Sequence, residues 1–263
     1  MKIGFIGYGV VGSACGKGFE DLSHEIFVHD IIRETNISIL SDVDLIYICV
    51  PTPIGKSGEC DISIVESCVA EVKESGIKAP VCIKSTVVPG TTEMLSKKYD
   101  IDIAFVPEFL RERCAYHDFV NNHDLLAIGT ENSCIEKLVI DCHGHYPKTI
   151  RVVSPTEAEL IKYFSNVYNA VKVTFANNFY EIASKLDADY SKILDAYLQR
   201  DIGKSDYLIV SDDLRGYAGA CLPKDTKALG ALAKRLNTGL QLLETVDLDN
   251  EKLKKTVFDG MRE

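Results

Sequence analysis

Short apolar runs alternate with amphipathic stretches through the first half of the chain. Candidate strands are 2–6, 25–28, 45–50, 81–84, 101–106 and 125–128. Several are apolar throughout, as parallel strands covered on both faces are. With helical stretches between them, they predict an α/β fold built on a doubly wound, Rossmann-like sheet. The pattern changes after Ile150-Arg151-Val152-Val153. Thr156 reads as a helix N-cap, with Glu159 closing a capping box. From there one long helix is expected to about residue 185, and a second over 190–198. A glycine-rich loop follows at 216–219, then a helix from about 223 to 244. A boundary near Val153 divides the chain into a first domain, 1–153, and an α-helical central domain, 154–263.

The run Gly7-Tyr8-Gly9-Val10-Val11-Gly12 fits G-x-G-x-x-G between a strand and a helix. The first glycine permits a tight turn, and the second lets backbone approach a pyrophosphate. The third allows close helix–strand packing, with phosphate at the helix N-terminus. Asp30 ends the next strand, 18 positions past Gly12, near the ~20 expected of an acid that binds the adenosine ribose. An acid there repels a 2′-phosphate, so the expected cofactor is NAD. The alternative is a tight turn with no dinucleotide.

Composition narrows the partners. Among 263 residues, 39 acids outnumber 29 Lys and Arg, for a net charge of −10. That balance argues against a phosphate-tracking nucleic-acid binder and against docking on an anionic membrane. No apolar run approaches the roughly 20 residues a membrane helix needs, and nothing resembles a signal peptide. A cytoplasmic protein is the expectation. The nine cysteines are odd in number and lie mostly in apolar segments, which predicts buried, reduced thiols. Cys142-His143-Gly144-His145 is an incomplete zinc set. It reads as a surface loop, and no metal is expected.

Three groups of residues carry candidate chemistry. Cys221 precedes a predicted helix with Lys224 nearby, and a helix N-terminus and a cation both favour a nucleophilic thiolate. On the long helix, Lys162, Asn166, Asn169 and Asn177 fall within about 80° of arc. Leu160, Phe164, Val167, Val171 and Phe175 lie opposite. The apolar side is expected to pack the core, and the polar side to face hydroxyls and a developing oxyanion. Glu108 follows a strand at the carboxyl edge of the sheet, where such folds bind ligands. Its alternative role is a salt bridge to Arg111 or Arg113.

Four segments in order extend this picture. They are Val50-Pro51-Thr52-Pro53, the run from Lys84-Ser85-Thr86 through Gly90-Thr91-Thr92, Pro107-Glu108-Phe109-Leu110-Arg111-Glu112, and Gly216-Tyr217-Ala218-Gly219-Ala220-Cys221-Leu222-Pro223-Lys224-Asp225. Together they resemble the UDP-glucose/GDP-mannose 6-dehydrogenase family over essentially the whole chain. The resemblance implies oxidation of a sugar primary alcohol to a carboxylate by two hydride transfers to NAD, with UDP-glucose the first candidate. It implies that Cys221 captures the aldehyde as a thiohemiacetal that becomes a thioester. Lys162 and Asn166 would steady the oxyanion, Asp225 and Thr86 would position water or tune charge, and Glu108 would be the base for hydrolysis. Cofactor contacts fall to Gly7, Gly9, Val10, Val11, Gly12, Asp30, Val50, Pro51, Thr52, Ser85, Thr86 and Lys224. Substrate contacts fall to Phe109, Leu110, Arg111, Lys162, Asn166, Asn169, Lys172, Tyr217 and Gly219.

The chain departs from the family in several places. Family members continue into a C-terminal nucleotide-binding α/β domain, and this sequence ends at Glu263, so a short form is expected. The segment between Asp30 and Leu45 is short. Lys172 replaces an arginine of the long helix, and Asn169 stands where the GDP-mannose branch tends to have histidine. Asn121-Asn122-His123 occupies a stretch where an arginine is expected. Other readings stay open: a smaller alcohol as substrate, a separately encoded C-terminal partner, a non-catalytic NAD-binding protein, or a one-hydride 3-hydroxy-acid dehydrogenase. Leu229, Leu232, Leu236, Leu240 and Leu243 form an apolar stripe at helical spacing, which predicts a homodimer. The alternative is packing against the chain's own long helix.

Overall fold

The computed structural model describes residues 1–55, 58–200, 206–219, 221–237 and 241–253. The chain divides into two compact units, residues 1–53 with 60–162, and residues 54–59 with 163–263.

The first unit is a seven-stranded sheet in the order β2-β1-β3-β4-β5-β6-β7. Its strands are β1 (Lys2–Ile6), β2 (Glu25–His29), β3 (Leu45–Ile48), β4 (Val81–Ile83), β5 (Ile103–Phe105), β6 (Leu126–Gly129) and β7 (Ile150–Val153). All neighbours are parallel except β5 and β6, which meet antiparallel at Phe105 and Gly129. The segment Ile150–Val153, read only as the place where the pattern changes, is thus a seventh strand, paired along its length with β6. The helices of this unit are α1 (Val10–Asp21), α2 (Ser63–Glu74), α3 (Thr91–Tyr99), α4 (Ala115–Asn121) and α5 (Ser133–His143).

The period-two geometry of strands explains the wholly apolar runs, because successive side chains serve opposite faces. Ile3, Phe5, Leu45, Tyr47, Cys82 and Ala104 join one apolar layer with Phe19 and Phe119. Ile6, Ile46, Ile48, Val81, Ile83 and Phe105 join the other, with Val65, Val69 and Leu95. Cys142 and His143 correct an expectation. They end α5 fully buried in the first layer rather than in a surface loop. Phe19, Phe119 and Tyr47 pack around the imidazole, so burial drives its pKa well below the usual value. Only Gly144 and His145 of that run are exposed.

The long helix α6 (Pro155–Lys185) starts in the first unit and continues into the second. Its entry is a capping box two residues earlier than expected. The Ser154 amide donates to Glu157 at 2.8 Å, and the Glu157 amide donates to the Ser154 hydroxyl at 3.3 Å. Ser154 and Glu157 have the same three-residue spacing as Thr156 and Glu159, so the pattern itself allowed both readings. Glu159 is fully buried and caps a different helix. Its carboxylate accepts from Gly90 N at 2.5 Å, Thr92 N at 2.8 Å and Thr92 Oγ1 at 2.6 Å, at the start of α3. The strand pattern ends at Val153, whereas the two units part at Lys162, because the first turns of α6 are anchored in this way.

The second unit contains the rest of α6, α7 (Tyr190–Leu198), α8 (Leu222–Arg235) and α9 (Leu242–Lys252). Ala170, Val173, Tyr217, Leu222 and Val246 form one apolar cluster. Ala176, Ala183, Tyr190 and Val210 form another. The single helix expected over 223–244 is two helices. Asn237 takes φ +53° just past α8, the left-handed stop that asparagine tolerates. Leu232 is buried and Leu236 is 65% exposed, while Leu240 lies outside the described residues. The expected stripe is therefore broken, and α9 folds back so that Leu243 approaches Gly230 of α8.

The faces of α6 are the reverse of the expectation. Lys162, Asn166 and Asn177 are buried, while Leu160, Phe164 and Phe175 are 43%, 76% and 56% exposed. Only Val167 of the supposed core side is buried. The polar side chains are inside because each has a partner. Lys162 bonds Glu108, Asn166 bonds Asp225, and Asn177 accepts from Arg215, which removes the cost of burying an unsatisfied group.

Candidate dinucleotide-binding and dehydrogenase site

β1 lies between β2 and β3, so the chain reverses its strand order there. Ligands bind α/β sheets at such a switch point, outside the carboxyl ends of the strands. The glycine run follows β1 at this point. Gly7 has φ +85°, and a Cβ there would lie 2.5 Å from the carbonyl oxygen of Cys49. A Cβ on Gly12 would lie 2.5 Å from the Gly7 oxygen, whereas one on Gly9 would meet nothing within 4 Å. Backbone is packed beneath the loop and space is left above it. Val10, 44% exposed, and the half-buried Val11 open α1. The first turn of α1 carries no acid, so its amides and dipole are open to a pyrophosphate.

Asp30 is half-buried beside this loop. One carboxylate oxygen accepts from Tyr8 N at 2.7 Å, the other from Ile32 N at 2.8 Å. The acid is thereby held at the end of β2, with its remaining lone pairs available to ribose hydroxyls. Arg33 stacks on the Tyr8 ring at 4.6 Å. These features fit a bound dinucleotide.

At the ends of β3 and β4, the Ser85 hydroxyl accepts from Val50 N at 2.9 Å and donates to Val50 O at 2.7 Å. Ser85 is therefore a staple between two loops. Thr86 is half-buried, Thr52 is buried and Pro51 is exposed. The Cys60 thiol donates to Thr86 O at 3.3 Å.

Beyond β5, Glu108 is gripped on several sides. Lys162 donates to its carbonyl at 2.6 Å and to Oε1 at 2.9 Å, and Leu110 N donates to Oε2 at 2.7 Å. Burial alone would raise this carboxyl. The Lys162 charge and hydrogen bond, the Leu110 amide and Lys84 outweigh burial and hold it below the usual value. The Lys162 ammonium also lies 5.7 Å from the Phe109 ring. Arg111 turns elsewhere, giving three bonds to Asp118 from N, Nε and NH2 at 3.0, 2.9 and 2.7 Å. The expected alternative of Arg111 pairing with Glu108 does not occur. Asp118 and Lys84 are the residues of this region that sequence reasoning missed. Arg111 lies outside the helix Ala115–Asn121 that carries Asp118, so no single element announces their pairing, and Lys84 looked like the polar end of an apolar strand.

In the second unit, Asp225 is fully buried one turn into α8. Its carboxylate accepts from Asn166 Nδ2 and pairs with Lys224 at 2.6 Å. Cys221 is exposed and occupies the N-cap position of α8, its carbonyl accepting from Asp225 N at 2.9 Å. Pro223 in the first turn presets the helix. Gly216 and Gly219 take φ +64° and +83°, and Ala220 lies outside the described residues. Tyr217 is 1% exposed in the core, so its ring serves packing rather than a surface open to substrate. Asn169 is half-buried. Lys172, also half-buried, lies 4.7 and 5.1 Å from the rings of Tyr168 and Tyr207, and burial lowers its pKa.

No helix among the described residues is long and apolar enough to cross a membrane. Among curated relatives, the chain is 28% identical to the UDP-glucose 6-dehydrogenase TuaD of Bacillus subtilis, covering 99% of this chain and 65% of that protein. It is 26% identical to the GDP-mannose 6-dehydrogenase of Pseudomonas aeruginosa, covering 98% and 70%. Its fold superposes on a UDP-glucose dehydrogenase structure from the archaeon Pyrobaculum islandicum with a TM-score of 0.86 and 26% identity, over 95% of this chain and 68% of that one. The chain thus spans about two thirds of the length of these relatives. Residues 33–145 match the NAD binding domain of the UDP-glucose/GDP-mannose dehydrogenase family, and residues 156–252 match its central domain. With the glycine loop at the switch point and the Cys221–Asp225 turn at the head of α8, these consecutive matches show that the chain belongs to the UDP-glucose/GDP-mannose dehydrogenase family.

Proposed function

We propose that the chain oxidises the primary alcohol of a nucleotide sugar, UDP-glucose first, to the carboxylate in two NAD-dependent steps. NAD, when bound, accepts the hydrides. The observation that carries the reading is the arrangement at the start of α8, where exposed Cys221 lies one turn before a buried Asp225 held by Asn166 and Lys224. The Cys221 thiolate adds to the aldehyde carbon, forming a C–S bond and a thiohemiacetal. Loss of the second hydride leaves a thioester, and water releases the acid and restores the thiol. Asp225 orients Asn166 and Lys224. Lys162 and Asn166 stand four residues apart on α6, where an ammonium and a carboxamide suit a developing oxyanion. Glu108, kept ionised beside Lys162, is the base for thioester hydrolysis.

Turnover with a panel of UDP- and GDP-sugars tests the proposal. Two NADH per sugar are expected, and Cys221→Ser should stop acid formation. Tight NAD binding with no turnover of any sugar would instead make this a binding protein, and acid made by Cys221→Ser at the normal rate would refute the covalent route. A cytoplasmic location goes with this reading, since its cofactor and substrate are cytoplasmic metabolites.

The same reading includes a homodimer, supported by α6 rather than by the expected leucine stripe. Phe164, Tyr168, Phe175, Phe179 and Ile182 are each at least 45% exposed along one side of α6, and Leu186, just past its end, is 73% exposed. An apolar strip of that length marks an interaction surface, and a two-fold axis across it would cover both copies. Light scattering should give twice the monomer mass, and Phe164→Glu with Phe175→Glu should return it to one.

A further inference from the structure

We propose that Lys84 is a positioning residue for Glu108. Its buried ammonium holds the strand end that carries Glu108 and shares with Lys162 the neutralisation of that carboxylate.

Lys84 directly follows β4 and is 3% exposed. Strand alternation puts it on the same side as Cys82, toward the layer that contains Tyr47. Its amide bonds Ile48 O at 2.9 Å. Its Nζ donates to Val106 O at 3.2 Å and lies 5.4 Å from the Tyr47 ring. Val106 is two residues before Glu108, so the bond fixes the segment that projects the carboxylate. Among the described residues no carboxylate lies within ion-pair distance of Lys84.

A methionine would fill this place without the cost of desolvating an ammonium, so a cation here has to act on a neighbour. Burial raises the thiols of Cys15, Cys49, Cys82 and Cys142 and keeps them protonated. Burial also lowers His123 to about 4 and His143 well below its usual value, so both imidazoles are neutral at pH 7. Glu108 is the carboxylate that feels Lys84. The groups facing Glu108 are Lys162 from α6, Lys84 from the end of β4, Cys15 from α1 and Cys49 after β3. Two cations therefore attend one carboxylate. The excess positive charge keeps Glu108 ionised while Lys162 engages it.

The use of this carboxylate in turnover rests on the function proposed above, but the coupling of Lys84 to Glu108 does not. The experiment is therefore a titration of the cofactor-free protein by NMR, with 13C at the glutamate carboxyls and Glu108 assigned through Glu108→Gln. In Lys84→Met the Glu108 midpoint should rise, and in Lys84→Arg it should return toward the wild-type value. An unchanged midpoint in Lys84→Met overturns the proposal. If Lys84→Met does not fold, Lys84→Gln decides, since its amide can still donate to Val106 O but carries no charge. The Glu108 midpoint should again rise, and an unchanged one overturns the proposal equally. Loss of nucleotide-sugar turnover in the wild-type protein would count against the proposed function and leave both titrations readable.

Discussion

Replacing Glu159 with glutamine tests how α6 is fastened to the loop that begins at Lys84. The carboxylate is fully buried, with Gly90 N on one oxygen and both Thr92 N and Thr92 Oγ1 on the other. Glutamine keeps the shape and one acceptor oxygen. Its NH2 group must then face either the Gly90 amide or the two Thr92 donors. The better flip keeps the Thr92 bonds and orphans the half-buried Gly90 amide, which costs about 1 kcal/mol, the low end for an unsatisfied donor. For a domain of this size that is a fall in Tm of roughly 2–4 °C per kcal/mol. The pH dependence supplies a second, independent sign. Burial raises Glu159 above its ordinary value of 4.5 and outweighs the three hydrogen bonds that lower it. A raised carboxyl contributes stability that is complete below the unfolded value and is lost as pH rises through the folded one. The gap between wild type and Glu159→Gln should therefore be widest below pH 4.5 and narrow as pH rises toward neutrality. Thermal unfolding followed by circular dichroism at a series of pH values measures it. A variant as stable as wild type at pH 4.5, or a gap that widens with rising pH, would refute the reasoning.

Other perturbations give further expected outcomes. Gly12→Ala puts a methyl 2.5 Å from the Gly7 carbonyl oxygen, so the glycine loop must shift. NAD affinity, measured by calorimetric titration, should fall at least tenfold, and an unchanged Kd would refute the fit of the loop to a pyrophosphate. Asp118→Asn breaks the fork to Arg111, the interaction that chiefly depresses the Asp118 carboxyl far below its ordinary value of 3.8. A depressed carboxyl stabilises above the unfolded value, and that contribution is lost as pH falls through the folded one. The loss in Asp118→Asn should therefore be present at pH 7 and shrink in strong acid, as denaturant midpoints can show. Arg111 is partly exposed, so the effect at pH 7 should be about 1–2 kcal/mol rather than that of a fully buried pair.

The parts of the fold legible in the sequence depend on local rules. Apolar runs such as Leu45–Ile48 are strands because both faces of the sheet are covered, and Gly7 and Gly12 stand where backbone contacts leave no room for a side chain, while Gly9 leaves open space above the loop. The 31 residues of α6 were legible from their unbroken helical period, although the residues that cap the start are Ser154 and Glu157 rather than Thr156 and Glu159. What was not legible depends on pairing across long distances. Lys162 is 54 residues from Glu108, and Asn166 is 59 from Asp225. No local period announces either pair, so a polar stripe that is buried looked like one that is exposed. The helix over 223–244 was overrun because the apolar spacing continued through Asn237, whose left-handed turn outweighs the pattern. The Glu108 neighbourhood was half visible. Its strand-end position could be read, but the cations that set its charge come from two separate elements.

On the proposed reading of Asp30 as the ribose-binding acid, its hydrogen bonds have a consequence for redesign. Exchange of cofactor preference in such folds commonly begins by removing the acid at the end of the second strand, so that a phosphorylated ribose is no longer repelled. In this chain that acid also anchors the Tyr8 amide of the glycine loop and the Ile32 amide of the following turn. Deleting it would slacken the loop at the same time as it opened the pocket. Asparagine retains one acceptor and removes the charge, so it separates the two roles better than alanine or glycine would. Selectivity between dinucleotides and rigidity of their cradle are therefore one engineering variable at this position.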